Sequence, residues 1–356
     1  MKILIDCREI QKNTTGIARF LLSLFKGIKS FNVEYKFLLL GNQYTDFGRK
    51  ELSGYEKIVV EEKNTFYFDQ VTISQVIKEQ KIDLFFSPYY KFSVFTKVPV
   101  ITSIFDVMYL VLDEYKNDIK NIYRKNFIKL TYKKVKKVIT SSNFAKNEII
   151  EVLNLPNEKV DVVYLSVDEK FKPQPVEKIK EIKEKYGINK NYILYIGNAK
   201  PHKNLNRLLS AWRLIDEEIK KDYILVLAGV GQKFCYKDEN TLIIPFVSEE
   251  ELAVLYTGAT IFVFPSVYEG FGLPPLEAMA CGCPVISSNT SSMPEVLGDA
   301  CLYFNPYDVN QISKTILEIL HSETLREKLQ KKGFEKVKSY SLEKMVNSLI
   351  KIFESI

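Results

Sequence analysis

The sequence predicts an α/β fold of two domains, each built around an open parallel sheet. The chain of 356 residues is too long for one hydrophobic core and about right for two. Short runs rich in Ile, Val, Phe and Tyr alternate with longer amphipathic stretches, a pattern typical of parallel strands covered by helices on both faces. We therefore expect two Rossmann-like domains facing a cleft, with ligands bound at the carboxyl ends of the strands.

The strand predictions rest on short, nearly continuous apolar runs bounded by turn residues. In the first half of the chain they are "KILIDC", "YKFLLLG", "KIVVEE", "DLFFSP", "VPVITSIFD", "KVITSS" and "VDVVYLS". In the second half they are "NYILYIGN", "YILVLAG", "TLIIPF", "TIFVFPS", "CPVISS" and "CLYFNP".

The domain boundary is predicted in "DEKFKPQPVEKIKEIKEKYGINKN", where two Pro precede a very polar helical stretch before the strand pattern restarts. Residues 1–170 are thus expected to form the first domain and residues 171–338 the second. Residues 339–356 carry apolar side chains at helical spacing after a Ser cap, which predicts a C-terminal helix. The pattern does not identify the surface against which this helix packs.

Composition excludes several classes of protein. The formal net charge of +6 is modest and does not indicate nucleic-acid binding. Asp6, Arg8 and Glu9 stand where a signal peptide would need apolar residues, so the N-terminus is predicted as a strand and not a targeting segment. No run approaches the ~20 apolar residues of a membrane span, so we expect a soluble, cytoplasmic protein.

The five Cys are scattered and odd in number, as expected of reduced thiols in a cytoplasmic protein. Cys281 and Cys283 resemble half of a zinc site, which needs about four ligands, but His202 and His321, the only His, lie far from them in sequence. We expect small buried thiols here and no metal site.

The segment "EGFGLPPLE", residues 269–277, places a Glu on either side of a turn between a predicted strand and a predicted helix. Gly270 and Gly272 would let the backbone approach a ligand, and the N–H groups of the helix start would attract a diphosphate. Glu277, expected in the first helical turn, could accept from a ribose diol, and Glu269 from sugar hydroxyls. The alternative is a plain turn in which Glu277 only complements the helix dipole.

The segment "YIGNAKPHKNLNRLL" carries cations at the end of another predicted strand. His202 and Lys203 lie in the loop, and Asn204 is placed to cap the following helix. Cationic groups beside a helix start suit the charge that develops on a leaving diphosphate. A solvated basic loop is the alternative.

Two single residues are weaker candidates. Gly16 opens a helix after the first strand, where a Gly can admit a ligand or can merely turn the chain. Asp106 ends a predicted strand, where an Asp can serve the site or can cap a helix. Neither the Gly16 segment nor "AGVGQK" is a complete dinucleotide fingerprint, so a nicotinamide enzyme is not indicated.

The stretch 115–138 is dense in cations interleaved with apolar residues, a pattern compatible with contact to anionic lipid through 116–137. A solvated helix face is the alternative. The cations are Lys116, Lys120, Arg124, Lys125, Lys129, Lys133, Lys134, Lys136 and Lys137, and the apolar residues are Tyr123, Phe127, Ile128 and Tyr132.

On these motifs the chain resembles the retaining glycosyltransferases of family 4, which have the GT-B fold, over nearly its whole length. The family's Glu-x7-Glu motif is matched by Glu269 and Glu277, its "G-x-x-x-P-R-K-N" loop by "GNAKPHKN", and its "TGIGRY" by "TGIARF". The N-terminal signature is similar to that of mannosyltransferase-like members that build bacterial surface polysaccharides.

The resemblance implies a role for each matched position. Glu277 would bind the ribose, Glu269 the donor sugar and Lys203 the diphosphate. The first domain would hold the acceptor and the second the nucleotide sugar, with the C-terminal helix crossing back onto the first. The implied catalytic residues are Glu269, Lys203 and Asp106, and the implied donor-binding residues are Gly16, His202, Lys203, Glu269, Gly270, Phe271, Gly272, Leu273 and Glu277.

The implied activity is transfer of a hexose, with mannose favoured, from a nucleotide diphosphate sugar to a glycan or lipid-linked acceptor with retention of configuration. No cofactor or metal is implied, and the leaving phosphate would help to deprotonate the acceptor. A storage-polysaccharide phosphorylase or synthase is a rival, but the chain lacks the N-terminal Lys-Thr-Gly-Gly loop of glycogen synthases. The family usually has His before the Asp at position 106, whereas Phe105 stands here; a donor-binding scaffold without turnover therefore stays open.

Overall fold

The computed structural model describes residues 1–12, 15–31, 33–116 and 118–356, and for Lys116, Lys120, Tyr123 and Arg124 it describes the backbone alone. The described residues form two structural units. Unit 1 comprises Met1–Ser166 and Leu342–Ile356, and unit 2 comprises Val167–Ser341. These bounds lie within a few residues of the predicted ones.

Unit 1 contains a seven-stranded sheet in the order β3-β2-β1-β4-β5-β6-β7, in which every pairing is parallel. Its strands are β1 Lys2–Asp6, β2 Lys36–Gly41, β3 Glu56–Val59, β4 Leu84–Ser87, β5 Val100–Ser103, β6 Lys137–Thr140 and β7 Val160–Val162.

Unit 2 contains a six-stranded parallel sheet in the order β10-β9-β8-β11-β12-β13. Its strands are β8 Asn191–Ile196, β9 Tyr223–Ala228, β10 Thr241–Ile244, β11 Ile261–Phe264, β12 Val285–Ser288 and β13 Cys301–Phe304. Each predicted strand segment overlaps one observed strand, and only β3 extends beyond its segment, by Glu56, so the prediction of two parallel-sheet, Rossmann-like domains is confirmed.

Helices follow most strands of both sheets. A π-helical turn at Phe68–Thr72 joins the helices Thr65–Tyr67 and Ile73–Glu79. The α-helices are α1 Gly16–Ser30, α2 Thr65–Tyr67, α3 Ile73–Glu79, α4 Met108–Val111, α5 Asp113–Lys116, α6 Ile119–Thr131, α7 Asn143–Leu153, α8 Val176–Tyr186, α9 Leu205–Arg213, α10 Glu217–Asp222, α11 Glu249–Gly258, α12 Leu273–Ala280, α13 Met293–Leu297, α14 Val309–Leu320, α15 Glu323–Val337 and α16 Leu342–Glu354.

The central strands are buried on both faces because helices cover both sides of each sheet. In β1, Ile3 and Ile5 belong to the apolar cluster that contains α1 and α16, whereas Leu4 belongs to the cluster on the opposite face with Phe68 and Ile73. Alternate residues of a strand point to opposite faces, so an unbroken apolar run is what such a strand requires. Ligand-accessible polar groups are consequently found at the strand ends.

The last helix, α16, belongs to unit 1 and packs against α1. Its buried residues include Val346, Leu349 and Phe353. The contact with α1 is close because position 27 is Gly: a Cβ atom built there would overlap Cγ2 of Val346 and lie 3.3 Å from Cγ of Leu342. The sequence pattern predicts this helix but does not show its packing partner.

We expect Gly27→Val to destabilise the protein by about 1–3 kcal/mol because the larger side chain overpacks the α1–α16 contact. Urea unfolding followed by circular dichroism measures the change. Val346→Ala combined with Gly27→Val should recover part of the loss, since it removes the overlapping methyl groups. Gly16→Ala is the control, because a Cβ at Gly16 meets nothing within 4 Å. An unchanged unfolding midpoint for Gly27→Val would contradict this packing.

Candidate functional site

The loop between β11 and α12, together with α12 itself, carries most of the predicted donor-binding residues. Gly272 precedes α12 in the left-handed region, with φ 94° and ψ 60°, a conformation that side chains other than Gly rarely adopt. Gly272 has no side chain to cap the helix, and Pro274 lies in its first turn. Pro274 and Pro275 have no N–H, so the backbone donors that this helix start offers to an anion are those of Gly272 and Leu273.

Two serines hold the backbone of this loop. Oγ of Ser291 accepts from the backbone N–H of Glu269 at 3.1 Å, and Oγ of Ser292 lies 2.9 Å from the carbonyl oxygen of Glu269 and 3.1 Å from that of Phe271. Ser292 is fully buried. Neither serine was among the predicted site residues, although both lie in a turn-rich segment, "NTSSMPE", that follows β12.

Glu269 and Lys203 form an ion pair, with Nζ of Lys203 2.6 Å from Oε1 of Glu269. The side chain of Lys203 is 16% exposed and that of Glu269 is 17% exposed, so the pair is largely but not completely removed from water. Nζ also lies 5.4 Å from the centroid of the Phe264 ring. The structure thus brings together two predicted catalytic residues from distant segments and places a cation and an anion side by side.

The loop after β8 is tied to the loop after β11. The backbone N–H of Val267 donates to the carbonyl oxygen of His202 at 2.8 Å. Nδ2 of Asn204 donates to the carbonyl oxygens of Pro265 and Pro306 at 3.1 and 2.7 Å. Asn204 stands at the N-cap position of α9 as predicted, but its side chain makes this bridge instead of capping the helix. His202 is only 6% exposed, so little of it can reach a ligand.

Glu277 lies deeper than the sequence suggests. The first turn of α12 contains no acidic residue, because the helix begins at Leu273 and Glu277 is in its second turn. The expectation of a first-turn Glu was therefore wrong, and a dipole role loses support since that effect falls off within the first turn. Glu277 is 4% exposed and accepts from the hydroxyl of Tyr256 at 3.3 Å.

Gly16 and Asp106 belong to unit 1. Gly16 begins α1, whose cap is Oγ1 of Thr15 accepting from the N–H of Ala18. Its φ is not positive and a Cβ there would have space, so within the described residues neither the backbone conformation nor packing requires Gly. Oδ1 of Asp106 accepts from the N–H of Met108 at 3.1 Å in a turn that leads into α4, whose N-cap residue is Val107.

Phe105 takes part in the apolar core of unit 1. Its ring packs edge to face against Phe20, with centroids 5.1 Å apart. The side chain that replaces the expected His therefore stabilises packing and offers no proton-transfer group.

Cys281 and Cys283 are buried, in agreement with the sequence prediction. Burial raises the pKa of Cys281 to about 12, so its thiol stays protonated at neutral pH. Cys235 is exposed. In the described part of the chain, no group of three or more His, Cys, Asp or Glu side chains is arranged to hold a metal ion.

In the basic stretch 115–138, the structure differs from the prediction in which apolar side chains are exposed. Ile128 and Tyr132 are buried in the unit 1 core and do not face outward. The exposed apolar side chains of α6 are instead Ile119, Ile122 and Leu130, which are 82%, 49% and 77% exposed. Exposed cations in and just after the helix include Lys129, Lys133, Lys134 and Lys136, while the side chains of Lys116, Lys120, Tyr123 and Arg124 lie outside the described residues. Among the helices described, none is long and apolar enough to cross a bilayer.

Comparison with known proteins identifies similar sequences and folds. The model of "Glycosyl transferases group 1" matches residues 178–336, and that of "Glycosyltransferase Family 4" matches residues 15–171. O-antigen chain mannosyltransferase B of Escherichia coli is 32% identical over 265 residues, 71% of this chain and 70% of that protein. O-antigen chain mannosyltransferase RfbU of Salmonella typhimurium is 34% identical over 208 residues, 56% of each chain.

Among solved structures, HepE of Anabaena in complex with UDP matches with a TM-score of 0.79 at 13% identity, covering 100% of both chains. At this identity the likeness shows the fold, which is GT-B as predicted.

We expect Gly272→Ala to destabilise unit 2 more than Gly231→Ala does. Both glycines have positive φ, 94° and 88°, so each substitution strains the backbone by about 1–2 kcal/mol. A Cβ at Gly231 meets nothing within 4 Å, whereas a Cβ at Gly272 overlaps Cε of the fully buried Met293. Thermal unfolding of the two variants measures the difference. Equal losses would show that the loop before α12 has room that the structure does not indicate.

Proposed function

The chain belongs to glycosyltransferase family 4, and from that premise we propose that it is a retaining hexosyltransferase of cell-surface polysaccharide synthesis. It would move a hexose from a nucleotide diphosphate sugar to a hydroxyl group of a glycan or lipid-linked acceptor. The preference for mannose, and with it for GDP-mannose, rests on the names of the E. coli and Salmonella relatives.

The observation that carries the proposal is the pairing of Lys203 and Glu269 beside the start of α12. A sugar diphosphate presents an anionic group and neutral hydroxyls, which need a cation and a hydrogen-bond acceptor respectively. An ammonium group has three donors and this pair uses one, so Lys203 can contact phosphate while Glu269 accepts from a hydroxyl.

The proposed chemistry needs positioning and charge stabilisation. Lys203 stabilises the charge that develops on the departing diphosphate, and the N–H groups of Gly272 and Leu273 at the start of α12 add to this effect. The leaving phosphate takes the proton of the acceptor hydroxyl, which attacks from the same face, so configuration is retained. Lys203 supplies the positive charge, so the proposal needs no metal ion.

Phe105 favours a second candidate function, a nucleotide-sugar-binding scaffold with little or no turnover. It is packed against Phe20 at a position where the family usually has His. Release of free nucleotide on addition of donor and an acceptor extract separates the two functions, because only the enzyme releases it repeatedly.

Membrane contact is a further part of the proposal. Exposed Ile119, Ile122 and Leu130 lie on a helix that carries exposed Lys129 and is followed by the exposed cations Lys133, Lys134 and Lys136. Apolar side chains that enter the lipid boundary, together with cations at the level of anionic headgroups, are typical of helices that lie on a membrane surface. We infer that α6 contacts the inner, cytoplasmic membrane face, where a lipid-linked acceptor would be found.

We expect Glu269→Ala and Lys203→Ala each to lower kcat/KM for transfer by about 100-fold, because each removes a group aimed at the donor. Nucleotide release in the presence of donor and acceptor extract measures the rate, and circular dichroism establishes that each variant is folded. Lys332→Ala is the control, since Lys332 makes a surface ion pair with Asp299 elsewhere in unit 2. Near-normal transfer by either site variant would remove that residue from the site.

A thermal-shift panel with GDP, UDP, dTDP and ADP tests the donor site itself. We expect one base to stabilise the protein, since a nucleotide at ~100 times its dissociation constant adds roughly 2.7 kcal/mol. No shift with any nucleotide would count against both the enzyme and the scaffold, because both need a donor site.

We expect the protein to sediment with vesicles that contain anionic phosphatidylglycerol and not with pure phosphatidylcholine vesicles. Each Lys near an anionic surface contributes about 1 kcal/mol, so Lys129→Glu, Lys133→Glu and Lys136→Glu together should abolish sedimentation. The matched control carries Lys178→Glu, Lys180→Glu and Lys328→Glu in unit 2. Equal binding by both triple variants would show that α6 is not the contact.

A further inference from the structure

The backbone of Ser291, in the loop between β12 and α13, adopts a conformation that is unusual for Ser. Its φ is 54°, in the left-handed region. There the Cβ atom crowds the carbonyl oxygen that follows, so Gly adopts the region freely, Asn and Asp adopt it at some cost, and other residues adopt it seldom. A loop that had only to reverse direction here would be more stable with Gly. The hydroxyl group, which Gly lacks, is the feature left to account for the Ser.

The other non-Gly residues with positive φ in the described part of the chain are Lys81, Asn154 and Asn204. Lys81 follows the C-cap residue of α3, and Asn154 is the C-cap residue of α7, so both end a helix in the left-handed conformation that is common there. Ser291 ends no helix and lies two residues before α13 begins. Like Asn204, it forms a hydrogen bond to the loop between β11 and α12. In unit 2, both residues with this strain therefore hold the loop that carries Glu269.

The two peptide groups that flank Cα of Glu269 are held by consecutive serines. The backbone N–H of Glu269 donates to Oγ of Ser291 at 3.1 Å, and Oγ of Ser292 donates to the carbonyl oxygen of Glu269 at 2.9 Å. Rotation of either peptide group would break one of these bonds, so they fix the direction in which the Glu269 side chain leaves the backbone. Its carboxylate lies 2.6 Å from Nζ of Lys203 as a result.

We propose that Ser291 is a positioning residue for Glu269, an inference that rests on the proposed transferase function. Its positive φ aims Oγ at the N–H of Glu269, since rotation about the N–Cα bond to a negative φ would carry Cβ and Oγ elsewhere. The hydrogen bond holds the carboxylate of Glu269 ready for the hydroxyl groups of the donor sugar. Ser291 thus supports recognition of the sugar and leaves binding of the nucleotide to other groups.

Two substitutions separate the hydroxyl group from the backbone strain. Ser291→Gly removes both, whereas Ser291→Thr keeps the hydroxyl and adds a β-branch that positive φ disfavours. We expect Ser291→Gly to lower kcat/KM for the nucleotide sugar about tenfold, the effect of one lost hydrogen bond, with a melting temperature close to that of the wild type. Ser291→Thr should melt several degrees lower and keep most of its transfer rate. If Ser291 only stabilised the fold, activity would follow the melting temperature in both variants.

The effect should reach the donor through Glu269 and only through the sugar. Isothermal titration of Ser291→Gly with free GDP and with GDP-mannose, or with the corresponding pair for the base that stabilises the protein, should give an unchanged Kd for the nucleotide and a raised Kd for the nucleotide sugar. In a Glu269→Ala background, Ser291→Gly should lower kcat/KM no further, because the group that it positions is already gone. Hydrogen–deuterium exchange of the segment 266–272 should be faster in Ser291→Gly, since the N–H of Glu269 loses its acceptor.

Lys81→Gly is the matched control, because it removes the same backbone strain at an exposed residue of unit 1 and should leave kcat/KM unchanged. Three results would each overturn the role of Ser291: unchanged kcat/KM in Ser291→Gly, weaker binding of the free nucleotide by that variant, or a further loss in the Glu269→Ala background. Ser291→Gly decides the question by itself if Ser291→Thr does not fold. A wild type that neither binds nucleotide nor transfers sugar would instead remove the transferase proposal, and the role of Ser291 with it.

Discussion

Hydrogen bonds between loops at the carboxyl ends of β8, β11 and β12 determine the candidate donor site. Oγ of Ser288 donates to the carbonyl oxygen of Ser266 at 2.6 Å, and Oγ1 of Thr290 to that of Val267 at 3.0 Å. Together with the contacts of Asn204 and Ser292, these bonds supply hydrogen-bond donors to backbone carbonyl groups. Each such carbonyl group would cost about 1–3 kcal/mol if it were buried without a donor. The position of Glu269 relative to Lys203 follows from this arrangement.

The sequence predicts the sheets well because their physical signal is local. A strand buried on both faces needs mostly apolar residues, so the central strands appear in the sequence as apolar runs, whereas the edge strands β3, "EKIV", and β7, "VDV", are more polar. The order of the strands and the packing of α16 on α1 depend on contacts between distant positions. The small size of Gly27 permits that packing, but the spacing of apolar residues along the helix does not reveal that a small residue is needed there.

The site was predictable to the extent that it lies at strand ends. Lys203 and Glu269 were identified separately from their positions, but their ion pair is visible only in the structure. Ser291 and Ser292 were not predicted as site residues. Their hydroxyl groups form hydrogen bonds with backbone atoms of the loop, and serines in turns are too common to indicate such a role from sequence. The ion pairs of the largely buried Arg8 with Glu62 and Asp69 were not predicted for a related reason. Both carboxylates are far from Arg8 in sequence, and scattered carboxylates have no distinctive spacing.

The membership of α16 in unit 1 has a consequence for how the protein is made. Unit 2 is one continuous segment, whereas unit 1 is interrupted by it. During synthesis from the N-terminus, the apolar surface of α1 that receives α16 stays uncovered until α16 itself has left the ribosome. Unit 2 can fold before unit 1 is complete, so the late step of biogenesis is the closing of the first core. That interval is when the nascent chain has most need of a chaperone.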